Sequence, residues 1–202
     1  MNIACLDLEG VLVPEIWIAF SERTGLPELR LTTRDEPDYA KLMRYRLDIL
    51  ARHSLGLNEI RQTISRIEPY DGAREFLDAL RRRGQAVIIS DTFTQFAGPL
   101  MEKLGLPTIF CNTLVADSDG RITGYKMRCE NSKLTTVRAL QSMGFDTVAV
   151  GDSFNDLAMI RASRAGFLFR STPAIVSANP DLPHYTRFDE LLSAFAREMA
   201  VC

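Results

Sequence analysis

Residues 3–12 read Ile-Ala-Cys-Leu-Asp-Leu-Glu-Gly-Val-Leu, and the reading of this stretch decides the fold. The run Ile3–Leu6 carries no polar residue, as expected of a strand buried on both faces. It runs into two carboxylates, Asp7 and Glu9, one residue apart, and then into Gly10. In an extended chain those carboxylates share one side. Two negative charges at a strand's end repel unless a cation neutralises them or one keeps its proton. The pattern suits Mg²⁺ binding, a nucleophilic carboxylate or an acid/base group, and equally a turn closed by a pair of acids.

A second stretch has the same construction. Residues 147–156 read Thr-Val-Ala-Val-Gly-Asp-Ser-Phe-Asn-Asp: a β-branched apolar run, a glycine, then Asp152, Asn155 and Asp156. Two strands of one parallel sheet, each ending in carboxylates, would bring Asp7 and Asp152 to the same edge. Open α/β sheets bind their ligands there, and hard oxygen donors suit Mg²⁺.

Working outward, strand 1 covers about residues 2–8, and the chain then changes character. From Glu15 to Ile67 it reads as helical. Ile16 and Phe20, then Tyr39, Leu42, Met43, Arg46, Leu47 and Leu50, then Ile60, Ile64 and Ile67 recur at helical spacing. Pro27, Pro37 and Gly56 break the run. Strand–helix alternation resumes at Asp71-Gly72, which opens a helix running to Arg83 and stopped by Gly84. Strands are predicted at Ala86–Ser90, Thr108–Cys111, Thr147–Val150 and Gly166–Phe169. A hairpin is predicted over 113–126 around Ser118-Asp119-Gly120. Helices are predicted after Ser90, ending near Gly105, over Asn131–Met143 and Asn155–Ala162, and at the end over Phe188–Met199. The expected fold class is α/β: a Rossmann-like, doubly wound parallel sheet with a helical cap inserted after strand 1, placed to act as a lid over the sheet's carboxyl edge.

Two signals lie between the acidic strand ends. Ser90-Asp91-Thr92 follows the apolar Val87-Ile88-Ile89. A hydroxyl with unpaired backbone N–H groups at a strand end binds phosphate, although Ser90 or Asp91 alone would read as a helix N-cap. Lys133 sits near a helix start, where a cation opposes the helix dipole unless an anion is close; alone it would read as a solvated lysine.

In this order, the four signals — the Asp7/Glu9 pair, Ser90, Lys133 and Gly151-Asp152 with Asn155-Asp156 — resemble the haloacid dehalogenase superfamily of phosphatases. The resemblance covers the whole chain. It implies a core of residues 1–13 and 71–202 and a helical cap of residues 14–70. Arg46, Arg66-Ile67, Pro69 and Gly72-Ala73 narrow it to the phosphoserine phosphatases. The resemblance implies an aspartyl-phosphate mechanism. Asp7 would be the nucleophile. Mg²⁺ would be held by Asp7, the Glu9 carbonyl and Asp152. Ser90 and Lys133 would bind the phosphoryl oxygens, and Asp91 and Asn155 would line the substrate. Phosphoryl transfer rests on positioning and charge neutralisation, so this residue set is chemically coherent.

The chain departs from the family at two points. Glu9 stands where a second aspartate is usual, and Ser-Asp-Thr-Phe at 90–93 stands where Ser-Gly-Gly-Phe is usual. Glutamate can still protonate a leaving alcohol and activate an incoming nucleophile, but it is one methylene longer. Both changes resemble a smaller group of bifunctional enzymes that hydrolyse phosphoserine and also pass its phosphoryl group to homoserine. Phosphoserine is therefore the expected substrate and homoserine the second acceptor. A zwitterionic substrate needs a cation and an anion. Arg46 is the best carboxylate clamp, with Arg44 as alternate, and Glu15 is the best ammonium partner. Each could also be a surface ion-pair residue. A phosphatase for another small phosphomonoester and a receiver-type phospho-acceptor domain are the alternatives.

Composition excludes other classes. The chain has 202 residues, 46% hydrophobic and 25% charged, with a net charge of −2 that offers no field for nucleic acid. The acidic turn at residue 7 argues against a signal peptide, and no apolar run approaches membrane-spanning length. Four cysteines, Cys5, Cys111, Cys129 and Cys202, lack CxxC spacing and point to free thiols in a reducing, cytoplasmic setting. The only histidines, His53 and His184, lie near no acid cluster, which leaves no basis for a zinc site or a histidine-based hydrolase. A homodimer is compatible with this reading; a membrane or nucleic-acid partner is not.

Overall fold

The computed structural model describes residues 1–33, 35–36 and 38–200; Pro37 and Cys202, singled out above, lie outside them. Seven strands form one sheet: β1 (Asn2–Leu6), β2 (Gln85–Phe93), β3 (Thr108–Ala116), β4 (Ile122–Lys126), β5 (Asp146–Gly151), β6 (Ala165–Phe169) and β7 (His184–Tyr185). Their order is β4-β3-β2-β1-β5-β6-β7, with every pair parallel except the β3–β4 hairpin. The chain winds outward from β1 through β2 to β3, then crosses to β5 and winds the other way. The switch point falls between β1 and β5, where such sheets bind ligands.

Central strand β1 pairs with β2 and β5, and Ile3, Ala4, Cys5 and Leu6 are all buried. Its side chains alternate between two cores, as strand geometry requires. Ala4 and Leu6 pack with α4 (Ala73–Arg81), α5 (Thr94–Lys103) and α9 (Phe188–Glu198) through Phe76, Phe96 and Phe195. Ile3 and Cys5 face α6 (Ser132–Ser142), α7 (Leu157–Ala162) and α8 (Pro173–Ala178) through Val137, Ile160 and Ile175.

The segment after β1 is helical, as expected: α1 (Ile16–Thr24), a 3₁₀ turn (Pro27–Arg30), α2 (Tyr39–Arg52) and α3 (Leu57–Ile64). Gly25, at φ +69°, ends α1, and Pro27 opens the 3₁₀ turn. Helix α2 buries Leu42, Met43, Ile49 and Leu50 along one stripe, and Arg46 lies in that stripe. The N-terminus of α3 meets the hairpin tip, where Leu57 N donates to Gly120 O at 3.0 Å. Both ends of the helical segment are tied together, Tyr70 N donating to Leu12 O at 2.9 Å.

Several boundaries differ from the sequence expectation. β2 continues through Ser90-Asp91-Thr92 to Phe93, and β3 is one nine-residue strand that leaves its parallel partner and becomes the first arm of the hairpin. The short α8 and two-residue β7 carried no sequence expectation. Cys5, Cys111 and Cys129 are free thiols. Among the described residues no helix is long and apolar enough to cross a membrane.

Candidate active site

The end of β1 turns back sharply. Asp7 N still donates to Val150 O of β5 at 3.1 Å, and Gly10 N then donates to Val13 O at 2.8 Å. Gly10 sits at φ +78°, and a Cβ there would lie 2.5 Å from Asp152 Cγ. Only a residue without a side chain lets the loop carrying Asp7 and Glu9 close onto Asp152.

Three buried acids meet at this point. Asp7, Asp152 and Asp156 each offer an oxygen, all within 4.8 Å of one another. Lys133, the second residue of α6, reaches in from the next layer, its Nζ 2.9 Å from Asp7 Oδ1 and 2.5 Å from Asp156 Oδ1. The expectation of an anion near this helix start is met by two of them. Asp156 is fully engaged: its Oδ2 accepts from Asp152 N at 3.1 Å, Ser153 N at 3.0 Å and Ser153 Oγ at 3.0 Å. Asp156 therefore orients Lys133 and the loop after β5, while Asp7 and Asp152 line the cleft. Gly151 makes room for it, since a Cβ there would meet Asp156 at 2.3 Å.

The electrostatics follow from burial. Desolvation and the neighbouring Asp156 and Asp152 hold the Asp7 carboxyl well above its ordinary range, against the pull of Lys133. Burial opposes charge on Lys133 as well. Asp156, Asp7 and Asp91 overcome it and hold the ammonium charged well above its ordinary range. Three carboxylates and one ammonium would leave two negative charges, which a hard divalent cation neutralises. The all-oxygen donor set fits Mg²⁺.

The end of β2 forms the next wall. Ser90 is buried, and its Oγ accepts from Thr92 N at 3.2 Å, which leaves the Ser90 hydroxyl proton for a ligand. Asp91 points the other way, towards α6. Its carboxylate accepts from Ser132 Oγ at 2.8 Å and from Asn155 Nδ2 at 3.2 Å. Asp91 and Asn155 both line the cleft, but as partners that join β2, α6 and the β5–α7 loop.

The helical segment closes the cleft from above. Its lining also includes Glu9, Glu15, Trp17, Tyr39 and Arg46. Glu9 Oε2 accepts from Ile16 N, the first helical N–H of α1, at 2.9 Å. Burial and the nearby Glu15 push the Glu9 carboxyl up to about 8, against Ile16 N–H, Arg46 and Lys133. Arg46 is 5% exposed; its guanidinium lies 4.4 Å over the Trp17 ring and donates to Leu31 O at 2.8 Å, yet among the described residues its Nε has no partner. Burial lowers it to about 10 despite Glu9, Tyr39 and Glu15, so it stays charged at neutral pH. The alternate, Arg44, is exposed on the outer side of α2 and does not line this cleft. Tyr39, the first residue of α2, donates its hydroxyl to Asp91 O at 3.0 Å and so joins the helical segment to the sheet edge.

All sequence-predicted site residues, Asp7, Glu9, Glu15, Arg46, Ser90, Asp91, Lys133, Asp152 and Asn155, line one cleft. Sequence reasoning gave no role to Asp156 beyond the acid cluster, although its spacing from Asp152 carried that signal. It gave none to Tyr39, Thr92 or Ser132, whose contacts depend on the folded neighbourhood.

Comparison with known proteins agrees with the geometry. The haloacid dehalogenase-like hydrolase pattern matches residues 1–164. A phosphoserine phosphatase of Pseudomonas syringae pv. tomato is 48% identical over 98% of this chain and 83% of its own length. Phosphoserine phosphatase ThrH of Pseudomonas aeruginosa is 46% identical over 98% of this chain and 96% of its own. A solved phospho-aspartyl intermediate analogue of phosphoserine phosphatase, 27% identical, superposes with a TM-score of 0.75 over 96% of this chain and 98% of that one. With its acid-tipped strands at the switch point and these relatives, the chain belongs to the haloacid dehalogenase-like hydrolases, within the group that holds the phosphoserine phosphatases.

Proposed function

We propose that this chain is a Mg²⁺-dependent phosphoserine phosphatase that works through an aspartyl phosphate on Asp7 and can also hand the phosphoryl group to homoserine. The observation that carries the substrate is Arg46. A charged guanidinium is buried in the same cleft as Asp7, Ser90 and Lys133, and its Nε has no partner among the described residues. A buried donor in that state calls for an acceptor, and a substrate carboxylate supplies one. The relatives named as phosphoserine phosphatases support the same reading.

Residue roles follow. An Asp7 carboxylate oxygen attacks phosphorus while the bond to the serine oxygen breaks. Lys133 and Ser90 hold the phosphoryl oxygens in place as charge shifts among them. Glu9, which keeps its proton up to about pH 8, gives it to the departing serine oxygen. The resulting Glu9 carboxylate then takes a proton from the incoming water or alcohol, which attacks phosphorus and frees Asp7. Mg²⁺, held by the Asp7 and Asp152 carboxylates and the Glu9 carbonyl, would neutralise the charge that otherwise sets Asp7 against a phosphate dianion. Arg46 takes the substrate carboxylate and Glu15 its ammonium, while Asp91 and Asn155 border the substrate.

Residues 14–70 act in this proposal as a cap on the core of 1–13 and 71–202. Support comes from the Leu12–Tyr70 backbone bond, which ties the two crossings together at a hinge, and from the Tyr39–Asp91 bond, which closes the cap over the site. Homoserine carries the same ammonium and carboxylate as serine and would reuse Arg46 and Glu15. A bound acceptor gains a large effective molarity over water. Phosphate release from phosphoserine with Mg²⁺, repeated at rising homoserine with phosphohomoserine measured, tests the whole. The expected outcome is hydrolysis without homoserine and progressive diversion with it. Phosphate as the sole product at all homoserine concentrations would remove the transfer activity.

A further inference from the structure

The cleft holds a second buried polar atom without a partner. Thr92 is 4% exposed and lines the same cleft as Arg46, and its Oγ1, like Arg46 Nε, makes no hydrogen bond among the described residues. A buried hydroxyl without a partner destabilises a fold, so its retention on a cleft wall points to a ligand. We propose that Thr92 and Arg46 together bind the substrate carboxylate, which makes Thr92 a determinant of substrate choice; this rests on the phosphoserine reading above.

Three observations place the Thr92 hydroxyl near the amino-acid part of the substrate. First, Thr92 lines the cleft together with Trp17 of α1 and with Tyr39 and Arg46 of α2, on the irregular end of β2 where the register against β3 shifts between Ile89 and Phe93. Second, Thr92 Oγ1 and Arg46 Nε are both buried in that lining, and Arg46 is the cation a substrate carboxylate would meet there. Third, its backbone N–H is already committed to Ser90 Oγ at 3.2 Å, which leaves the side-chain hydroxyl as the group Thr92 presents. Arg46 Nε and Thr92 Oγ1 both act as donors, and one carboxylate has two oxygens to receive them.

The test compares phosphoserine with phosphoethanolamine, which keeps the phosphate and ammonium and lacks the carboxylate. Thr92→Val removes the hydroxyl at nearly constant shape; Thr92→Ala, which adds no atoms, is measured beside it. A hydrogen bond to a charged group, lost from ground and transition state alike, appears mainly in KM. The expected result is a KM for phosphoserine raised about tenfold or more, kcat changed less, and a preference for phosphoserine over phosphoethanolamine reduced by the same factor. Thr92→Ser should restore that preference. Equal losses on both substrates, or none on either, would overturn the role of Thr92 while the phosphoserine reading stands. A wild-type enzyme with no preference for phosphoserine would overturn both.

Discussion

Replacing Lys133 by methionine tests the electrostatic frame of the site. Lys133 is 4% exposed, and its ammonium is the charge set between Asp7 and Asp156. Methionine keeps much of the apolar stem and deletes the charge. Breaking a buried ion pair by removing one partner costs about 3–5 kcal/mol, because the other charge stays buried. That is a large share of the roughly 5–15 kcal/mol that stabilises a typical domain. At a slope of about 2 kcal/mol per molar urea, the midpoint should fall by roughly 1.5–2.5 M. The loss should depend on pH. An acid whose folded pKa is raised contributes stability that is full below its unfolded value, near 4, and fades as pH rises through the folded one. Asp7 is such an acid and loses its neighbouring cation in the variant. The deficit should therefore be large at pH 8 and shrink towards pH 5. Urea unfolding in chelator, followed by fluorescence of the single tryptophan, Trp17, measures it at both values. Adding Asp156→Asn should recover part of the loss. A midpoint within about 0.3 M of wild type at pH 8, or a loss equal at both pH values, would refute this account.

Further outcomes follow from the same geometry. Glu9→Gln should lower turnover of phosphoserine about 10²- to 10⁴-fold, as expected for a lost general acid. In the wild type kcat/KM should fall as pH rises through about 8, where Glu9 gives up its proton, and a pH–rate profile should show this limb missing in the variant. Arg46→Ala should weaken phosphoserine far more than phosphoethanolamine, and equal losses would make Arg46 structural. Because Arg46 also stacks on Trp17, the same variant should shift tryptophan emission.

How much was legible in the sequence depended on how local each signal is. β1 and β5 stood out because central parallel strands are apolar on both faces and their acids follow directly. The helical segment stood out through the periodic stripe of α2, including Arg46. The polar end of β2 was not legible: Ser90-Asp91-Thr92 reads as a strand end and helix start, yet it stays in strand, with Asp91 finding partners in Ser132, Tyr39, Asn112 and Asn155. Those partners lie far away in sequence. The change of partner along β3 depends on where β2 ends and β4 begins, which no local pattern encodes. Asp91 shows the same limit within the site: its sequence position suggested charge beside the substrate, and only the fold reveals that Ser132 and Asn155 hold its carboxylate.

The proposed reaction turns on a covalent intermediate on Asp7. Enzyme mixed with phosphoserine labelled in its phosphate, then quenched in acid within the first turnovers, should carry label that is lost in mild base. Peptide mapping should place it on Asp7 in the wild type, and Asp7→Asn should carry none. Turnover of phosphoserine without any labelled enzyme, or label on a residue other than Asp7, would contradict the account.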